Sequence, residues 1–457
     1  MYETLKAYID GKIHPLIRSR VWPRILVCGH YDRSAPNVHI SPTEKREKRF
    51  NWHRPIAVIV NDLTLEIRCF PGRDYVQHYA LLIAYYLNLS SIKAPASVVE
   101  YLLPSSEACV NILLQSNLRF MGAADTVILG YVDHLATNEE YIWETGTDVP
   151  DQLFAWKRFS LADGSVVAFV GSMVSLWGDI IGNVVRAMRT QNNISSVFYM
   201  GKAGSLRTQD VPNEVLVTGE SSHMDGKLLS WESPLSTTLS TMQIEHLCQG
   251  THVTVPSPLV ETEDWLANNK QDADWVDCEV GYLAEACQDN DIRFGYLHFI
   301  SDNVAEKYTY NLATERQEAV ISARKGIWDK VRQILATHLG SQCRIYQAYT
   351  TNTILIFEVV FPELKPINTL FNFIISDRTL PVDFAHALYK TVFKAVGGQD
   401  AFIDMVYDTV LPEVKSEVVA IPDNLKSNHI NLSLYGLEYD AWIQTEQFQK
   451  LPNDTFL

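Results

Sequence analysis

Two acidic residues stand where a buried element gives way to a polar segment. Asp302 ends the apolar run RFGYLHFISDN (293–303), and Glu279 lies near the start of the helix-like segment VDCEVGYLAEACQDN (276–290). Side chains at the carboxyl ends of parallel strands can meet in one ligand site, which makes Asp302 a candidate for chemistry. Each residue also has a structural explanation, since aspartate and glutamate are both favoured near the start of a helix.

Small residues mark two further strand ends. Gly171-Ser172-Met173 closes the apolar run SVVAFVGS (165–172), and the run SVFYMGKAGSL (196–206) passes from a strand into a small-residue loop. Glycine lets the backbone approach a ligand closely, although a tight turn would explain Gly201 and Gly204 nearly as well.

The ordered set of these segments resembles the nucleoside phosphorylase family, in particular its methylthioadenosine/S-adenosylhomocysteine nucleosidases. GKAGSL (201–206) stands in place of a G-[ST]-A-G-x-L loop, and VTVPSPLVETEDW (253–265) in place of a purine-stacking segment. VDCE (276–279) followed by FISD (299–302) resembles the family's V-[DE]-M-E and A-I-S-D motifs. The resemblance covers under half of the chain and implies a three-layer α/β/α nucleoside phosphorylase-like fold there.

The resemblance also implies roles for the site residues. Asp302 would protonate N7 of a purine leaving group, provided that burial raises its pKa. Glu279 would accept hydrogen bonds from the ribose hydroxyls and favour positive charge on the sugar. Glu140, or the adjacent Glu139, would activate water, although an exposed loop glutamate is the simpler explanation of either residue. Further ligand contacts would come from Ser172, Gly201, Lys202, Leu259, Cys278 and His298.

Departures from the family pattern bear on the reaction type. The arginines that hold phosphate in the phosphorylases are missing, with Tyr199 at one of their places, which favours hydrolysis. Lys202 replaces a small hydroxyl residue and could hold an anion beneath the sugar or block the site of the nucleophile.

Base recognition and the surroundings of the acid also differ from the family. Leu259 stands where an aromatic residue is expected, and Ser257 where an aspartate is. Cys278 replaces methionine, a soft apolar exchange. His298 replaces an arginine and is most simply a satisfied core histidine, although it could position water or an anion.

Three functions therefore stay open at this point. The first is a hydrolytic nucleosidase acting on a purine nucleoside or nucleotide derivative. The second is a phosphorolytic transferase in which Lys202 replaces the arginines. The third is a module that binds a nucleoside without cleaving it, as the changes at Leu259 and His298 would allow.

Composition narrows the class of partner. The 457 residues are 47% hydrophobic and carry a formal charge of −16, which disfavours binding to nucleic acid or an anionic membrane. The seven cysteines include no CxxC pair, so we expect free thiols, no metal, no cofactor and a cytoplasmic location. The partner is expected to be a small nucleoside or nucleotide, and the resemblance implies a homo-oligomer.

Hydrophobic periodicity divides the chain into three predicted domains. An N-terminal α/β extension (1–120) and a C-terminal extension of unknown role (341–457) flank the nucleoside phosphorylase-like domain (121–340). Within the N-terminal extension, 56–60 predicts a buried strand and 76–102 a helix region. Strands are predicted at 126–131, 165–171, 196–201 and 293–300, and helices at 179–188, 305–338 and near 383–412.

Overall fold

The computed structural model describes residues 9–46, 48–89, 98–136, 143–147, 152–161, 163–306, 318–339, 347–348, 353–359 and 371–376. The chain forms two compact units. The first comprises Met1–Lys157 and Val167–Ser341, and the second comprises Arg158–Val166 and Gln342–Leu457. None of the helices in the described ranges combines the length and apolar character that a membrane crossing requires.

The N-terminal part of the first unit is a small five-stranded sheet with helices. Its strands are β1 (Arg24–Cys28), β2 (Val38–His39), β3 (Ile56–Asn61), β4 (Thr64–Arg68) and β5 (Val99–Leu102), in the order β2-β3-β4-β1-β5. Its helices are α1 (Pro15–Ser19), α2 (Arg73–Leu89) and α3 (Ser106–Gln115). Buried side chains of β1 and α2, among them Val27 and Ile83, form its core.

Two predictions for this part need correction. Of the predicted helix region 76–102, residues 76–89 lie in α2, the last four residues form the strand β5, and residues 90–97 lie outside the described residues. The strand predicted at 56–60 exists as β3, but only its first two residues are buried; Val58 is half-buried and the remaining residues are exposed.

The larger sheet holds the residues of the resemblance. Its strands are β6 (Thr126–Gly130), β7 (Phe154–Ser160), β8 (Val166–Ser172), β9 (Ser196–Ser205), β10 (Leu216–Met224), β11 (Lys227–Ser230), β12 (Leu247–Thr254), β13 (Trp275–Asp277) and β14 (Arg293–Asn303). They run in the order β11-β10-β12-β13-β9-β6-β8-β7, and β14 pairs with both β10 and β9. The sheet mixes parallel pairs, such as β6 with β8 and β9, and antiparallel ones.

Five of these strands close into a ring. β9 pairs with β14, β14 with β10, β10 with β12, β12 with β13, and β13 with β9 again. Alternate side chains of each strand therefore face a shared interior. The rings of His252, Tyr296 and His298 meet there with centroids 4.8–5.4 Å apart.

Two groups of helices cover the strands of this sheet. The helices that follow α3 in the chain are α4 (Val132–Leu135), α5 (Asp179–Asn192), α6 (Ser236–Thr241), α7 (Glu263–Asn269), α8 (Val280–Gln288) and α9 (Glu318–Leu339). α5 packs against α3 and α8, while α9 packs against α4 and α6. Phe299 of β14 contacts Trp328 of α9, on the side of the strand opposite to His298. The predicted three-layer α/β/α class is confirmed.

The four predicted strands all lie in this sheet, and the predicted helix 179–188 is α5. The structure differs at two of the motifs. The predicted loop 201–206 continues β9 as far as Ser205, because pairing with β14 extends through it. The helix predicted from residue 276 begins only at Val280, after the short strand β13. Of the predicted helix 305–338, residues 318–338 lie in α9, and residues 307–317 lie outside the described residues.

From Gln342 onward, the described residues of the second unit include three antiparallel strands. They are β15 (Gln347–Ala348), β16 (Thr353–Val359) and β17 (Phe371–Ser376), in that order. The helices predicted near 383–412 lie outside the described residues.

Candidate functional site

Asp302 lies at a bulge near the end of β14. Ile300 pairs with Ala203 and Asp302 with Gly204, which leaves Ser301 as an extra residue in the strand. Such a bulge redirects the side chain that follows it. The Ser301 hydroxyl donates a hydrogen bond to Asp302 Oδ1, with 2.5 Å between the oxygens.

Gly204 joins the two motifs that carry the acidic residues. It pairs with Val276 of β13 on one side and with Asp302 of β14 on the other. A β-carbon on Gly204 would stand 3.1 Å from Val276 Cγ1 and 3.3 Å from Asp302 Oδ2. The absence of a side chain at Gly204 therefore lets both neighbouring strands come close at this point.

Glu279 occupies the residue before the first turn of α8, with its backbone at φ −124° and ψ −38°. Burial raises the pKa of its carboxyl group well above the ordinary value, and the neighbouring Asp277 raises it further. The charge of Lys202 and a hydrogen bond from the Gly178 backbone oppose this rise only in part. Glu279 therefore holds its proton to higher pH than an exposed glutamate does.

Lys202 and Glu261 complete the charged groups of the site. Lys202 is an exposed residue of β9 whose charge acts on Glu279. Glu261 follows the 3₁₀ turn Pro258–Val260, and burial raises the pKa of its carboxyl group well above the ordinary value, with Asp302 and Asp277 adding to the rise. No pattern in the sequence distinguishes Glu261 from its neighbours, although it lies in the segment singled out at 253–265.

The remaining predicted site residues have diverse surroundings. Ser172 is buried, and its hydroxyl donates to the Val174 carbonyl at 3.0 Å. Cys278 is also buried, which raises the pKa of its thiol well above the ordinary value. Leu259 packs against the core of the N-terminal sheet. Glu139 and Glu140 lie outside the described residues, so the predicted water-activating position stays a prediction.

His298 is fully buried at the inner face of β14, beside Gly201. A β-carbon on Gly201 would stand only 2.6 Å from His298 Nε2, so the glycine makes room for the imidazole. Neither ring nitrogen of His298 has a hydrogen-bond partner among the described residues. His298 is therefore a core histidine, as one interpretation of the sequence has it, but the described residues do not satisfy its hydrogen bonds.

Helix α2 of the N-terminal part contacts the segment 253–265. His78 of α2 shares a hydrogen bond of 2.7 Å with the Ser257 hydroxyl, and its ring stacks on Trp177 at 4.3 Å between centroids. Trp177 in turn donates to the Pro256 carbonyl at 3.1 Å. The loop before α5 and the segment 253–265 are thus both held by α2.

Comparison with known proteins yields distant similarities. No family model matches the chain. The curated protein Oxidoreductase cns1 of Cordyceps militaris is 25% identical over 270 residues, which are 54% of this chain and 33% of that protein. The chain therefore spans about a third of the length of this curated relative.

Several solved structures resemble about half of the chain. A putative methylthioadenosine nucleosidase from Weissella paramesenteroides is 14% identical, with 49% of this chain and 100% of that one covered and a TM-score of 0.35. The Helicobacter pylori 5′-methylthioadenosine/S-adenosyl homocysteine nucleosidase is 12% identical, with 48% of this chain and 100% of that one covered and a TM-score of 0.37. Isoform 2 of purine nucleoside phosphorylase from Schistosoma mansoni is 11% identical, with 52% of this chain and 96% of that one covered and a TM-score of 0.35. These three solved structures are thus two nucleosidases, one of them putative, and a purine nucleoside phosphorylase.

Proposed function

We propose that the chain is a hydrolytic nucleosidase that cleaves the N-glycosidic bond of a purine nucleoside or nucleotide derivative. The observation that carries the proposal is the group of carboxyl side chains at the ends of β13 and β14, on either side of Gly204 of β9. Asp302, Glu279 and Glu261 belong to three separate segments, and the pKa values of Glu279 and Glu261 are raised. Clustered carboxyl groups with raised pKa values are typical of acid-assisted catalysis.

The chemistry divides between the two motif carboxyl groups. Cleavage leaves electron density on the base and positive charge on the sugar, so the reaction needs a proton donor at the base and an anion near the ribose. Asp302 is the proposed donor, because the bulge in β14 redirects it and Gly204 leaves space beside it. Glu279 is the proposed ribose ligand, since its carboxyl oxygens accept hydrogen bonds from hydroxyl groups and its ionised form favours the developing positive charge.

Water is the proposed nucleophile. A glycosidic bond that dissociates through an oxocarbenium-like transition state can be attacked by a weak nucleophile such as water. In addition, this chain has no arginine at the positions that bind phosphate in the resembled family. Glu140 or Glu139 would activate this water. A homo-oligomer in the cytoplasm remains part of the proposal, and the six described cysteines are free thiols.

Phosphorolysis is the second candidate function because of Lys202. Its side chain is exposed, and its charge acts on the Glu279 carboxyl group, so it lies close to the proposed ribose position. A lysine there could attract phosphate as a point charge, although without the two-point grip of arginine.

The test is release of free base from a panel of purine nucleosides and nucleotides in buffer without phosphate. We expect Asp302→Asn and Glu279→Gln each to lower turnover by roughly 10²-fold, the scale for a lost general acid or electrostatic partner. Both changes are nearly isosteric, so the fold should persist. Asp272→Asn is the matched control, because Asp272 is exposed and is not one of the acidic residues that form the proposed site.

The same assay separates the two reactions. Hydrolysis predicts free ribose and no effect of phosphate. If phosphate accelerates base release, ribose 1-phosphate accumulates and Lys202→Ala removes that dependence, then the phosphorylase function replaces the hydrolase. If no base is released from any compound although ligands bind, the chain is a binding module.

A further inference from the structure

The interior of the five-stranded ring contains a polar cluster that the proposed reaction does not use. His252 of β12, Asp277 of β13 and His298 of β14 are all buried, and each offers one side-chain atom within 4.8 Å of the other two. They come together because β12 pairs with β13, while β10 pairs with both β12 and β14.

The histidines of this cluster are short of hydrogen-bond partners. His252 Nδ1 lies 2.6 Å from the Tyr296 hydroxyl, but His252 Nε2 and both ring nitrogens of His298 have no partner among the described residues. A buried polar atom without a partner destabilises the fold, so three in one place call for an explanation. His298 Nδ1 is 3.8 Å from Asp277 Oδ2, beyond hydrogen-bond distance.

The side chains of the cluster are of types that bind metal ions. A neutral imidazole ring offers one nitrogen lone pair, and a carboxyl group offers two oxygens. The carboxylate of Asp277 is held in place by hydrogen bonds from the Thr254 hydroxyl at 3.0 Å and the Val280 backbone at 2.9 Å.

We propose that His252, Asp277 and His298 bind a divalent transition-metal ion of the Zn²⁺ class inside the ring of strands. Two imidazoles and one carboxylate are a donor set that zinc accepts, with ligand atoms about 2.0–2.2 Å from the ion. The spread of up to 4.8 Å between the donor atoms requires side-chain movements on the order of 1 Å for all three to reach one ion.

Groups around the cluster match what metal ligands need. When the Nδ1–H group of His252 donates a hydrogen bond to the Tyr296 hydroxyl, Nε2 carries the lone pair that faces the cluster. A partner on the second ring nitrogen is the usual way in which a protein orients a metal-binding histidine. Thr254 does the same for Asp277, and the space beside Gly201 receives the ring of His298.

The test is the metal content of the full-length protein, purified without chelator and measured by mass spectrometry of the elements. We expect about one equivalent of a transition metal, or uptake of one equivalent of Zn²⁺ by chelator-treated protein. Zn²⁺ at about 100 times its Kd should favour the folded state about 100-fold, which raises the unfolding temperature. Co²⁺ in place of Zn²⁺ should give the visible absorption of a low-coordinate site.

Variants assign the ion to the cluster. His252→Gln and His298→Gln should each abolish uptake, whereas His246→Gln should not, because His246 lies on the surface with 54% of its side chain exposed. Tyr296→Phe keeps all three ligands and should weaken Zn²⁺ binding by roughly 10–100-fold, which keeps the test decisive if a histidine variant fails to fold. A folded wild-type protein that holds no metal and takes up no Zn²⁺ or Co²⁺ overturns the proposal. This outcome is independent of nucleosidase activity.

Discussion

At the scale of single residues, His298 marks the limit of what the sequence can tell. It stands at a place where the resembled family has arginine, and a buried histidine on a strand usually has its hydrogen bonds satisfied. The structure leaves both its nitrogens without a partner among the described residues and brings His252 and Asp277 beside it. These three residues are far apart along the chain and meet only through strand pairing, so no local pattern could have predicted the cluster.

Glu261 yields a prediction about pH dependence. Its carboxyl group is electrostatically coupled to Asp302, and two neighbouring carboxyl groups hold a shared proton to higher pH than one alone. Glu261→Gln removes this coupling. We therefore expect the alkaline limb of the pH–rate profile for base release to move to lower pH, while the rate on the acid side changes little.

The control for Glu261 is Glu263→Gln, two residues further on. Glu263 lies in the first turn of α7 and is exposed, so its replacement should leave the profile unchanged. An unshifted alkaline limb in the Glu261 variant would show that Glu261 does not act on the proposed acid.

At the scale of elements, the sequence predicted strands well and their limits less well. All four predicted strands of the central sheet exist because continuous apolar runs are typical of buried strands. The small-residue motif at 201–205 suggested a loop, yet it continues β9, since Gly204 is paired on both sides. Composition cannot distinguish glycines that open a turn from glycines that let strands approach.

The start of α2 provides a prediction about stability. The carboxylate of Asp179 accepts hydrogen bonds from the backbone of Arg73 and Asp74, which caps α2 from another element. Burial raises the pKa of Asp74 from 3.8 to about 6. The folded state therefore binds this proton more tightly than the unfolded chain, and ionising Asp74 lowers the free energy of unfolding.

The protonated form of Asp74 stabilises the folded state at low pH. The contribution of Asp74 is most favourable below pH ~4 and is lost as the pH rises to about 6. Compared with Asp74→Asn, the wild type should lose up to about 3 kcal/mol of its free energy of unfolding over that interval. Urea unfolding of both proteins between pH 4 and 7 measures the difference. A difference that stays constant over this range would contradict the buried, protonated state of Asp74.

At the scale of the whole molecule, packing combines parts that the sequence separates. The compact unit formed by Met1–Lys157 and Val167–Ser341 includes both the predicted N-terminal extension and most of the central sheet. His78 and Asp179 contribute to this arrangement through their contacts with Ser257 and the start of α2. Such contacts join residues more than 100 positions apart, and hydrophobic periodicity along the chain cannot predict which distant residues meet. The division at 120 and 121 stays a prediction.

The expected self-association can be tested through its dependence on salt. Each copy carries a formal charge of −16, so two copies repel each other at low ionic strength. Salt screens this repulsion over about 8 Å at 0.15 M, whereas contacts between apolar surfaces persist. Light scattering at micromolar concentration should therefore give at least twice the monomer mass of 51.8 kDa, with the oligomer fraction rising as salt is added. A mass equal to the monomer at every salt concentration would exclude a stable homo-oligomer and require that a single chain contain the whole site.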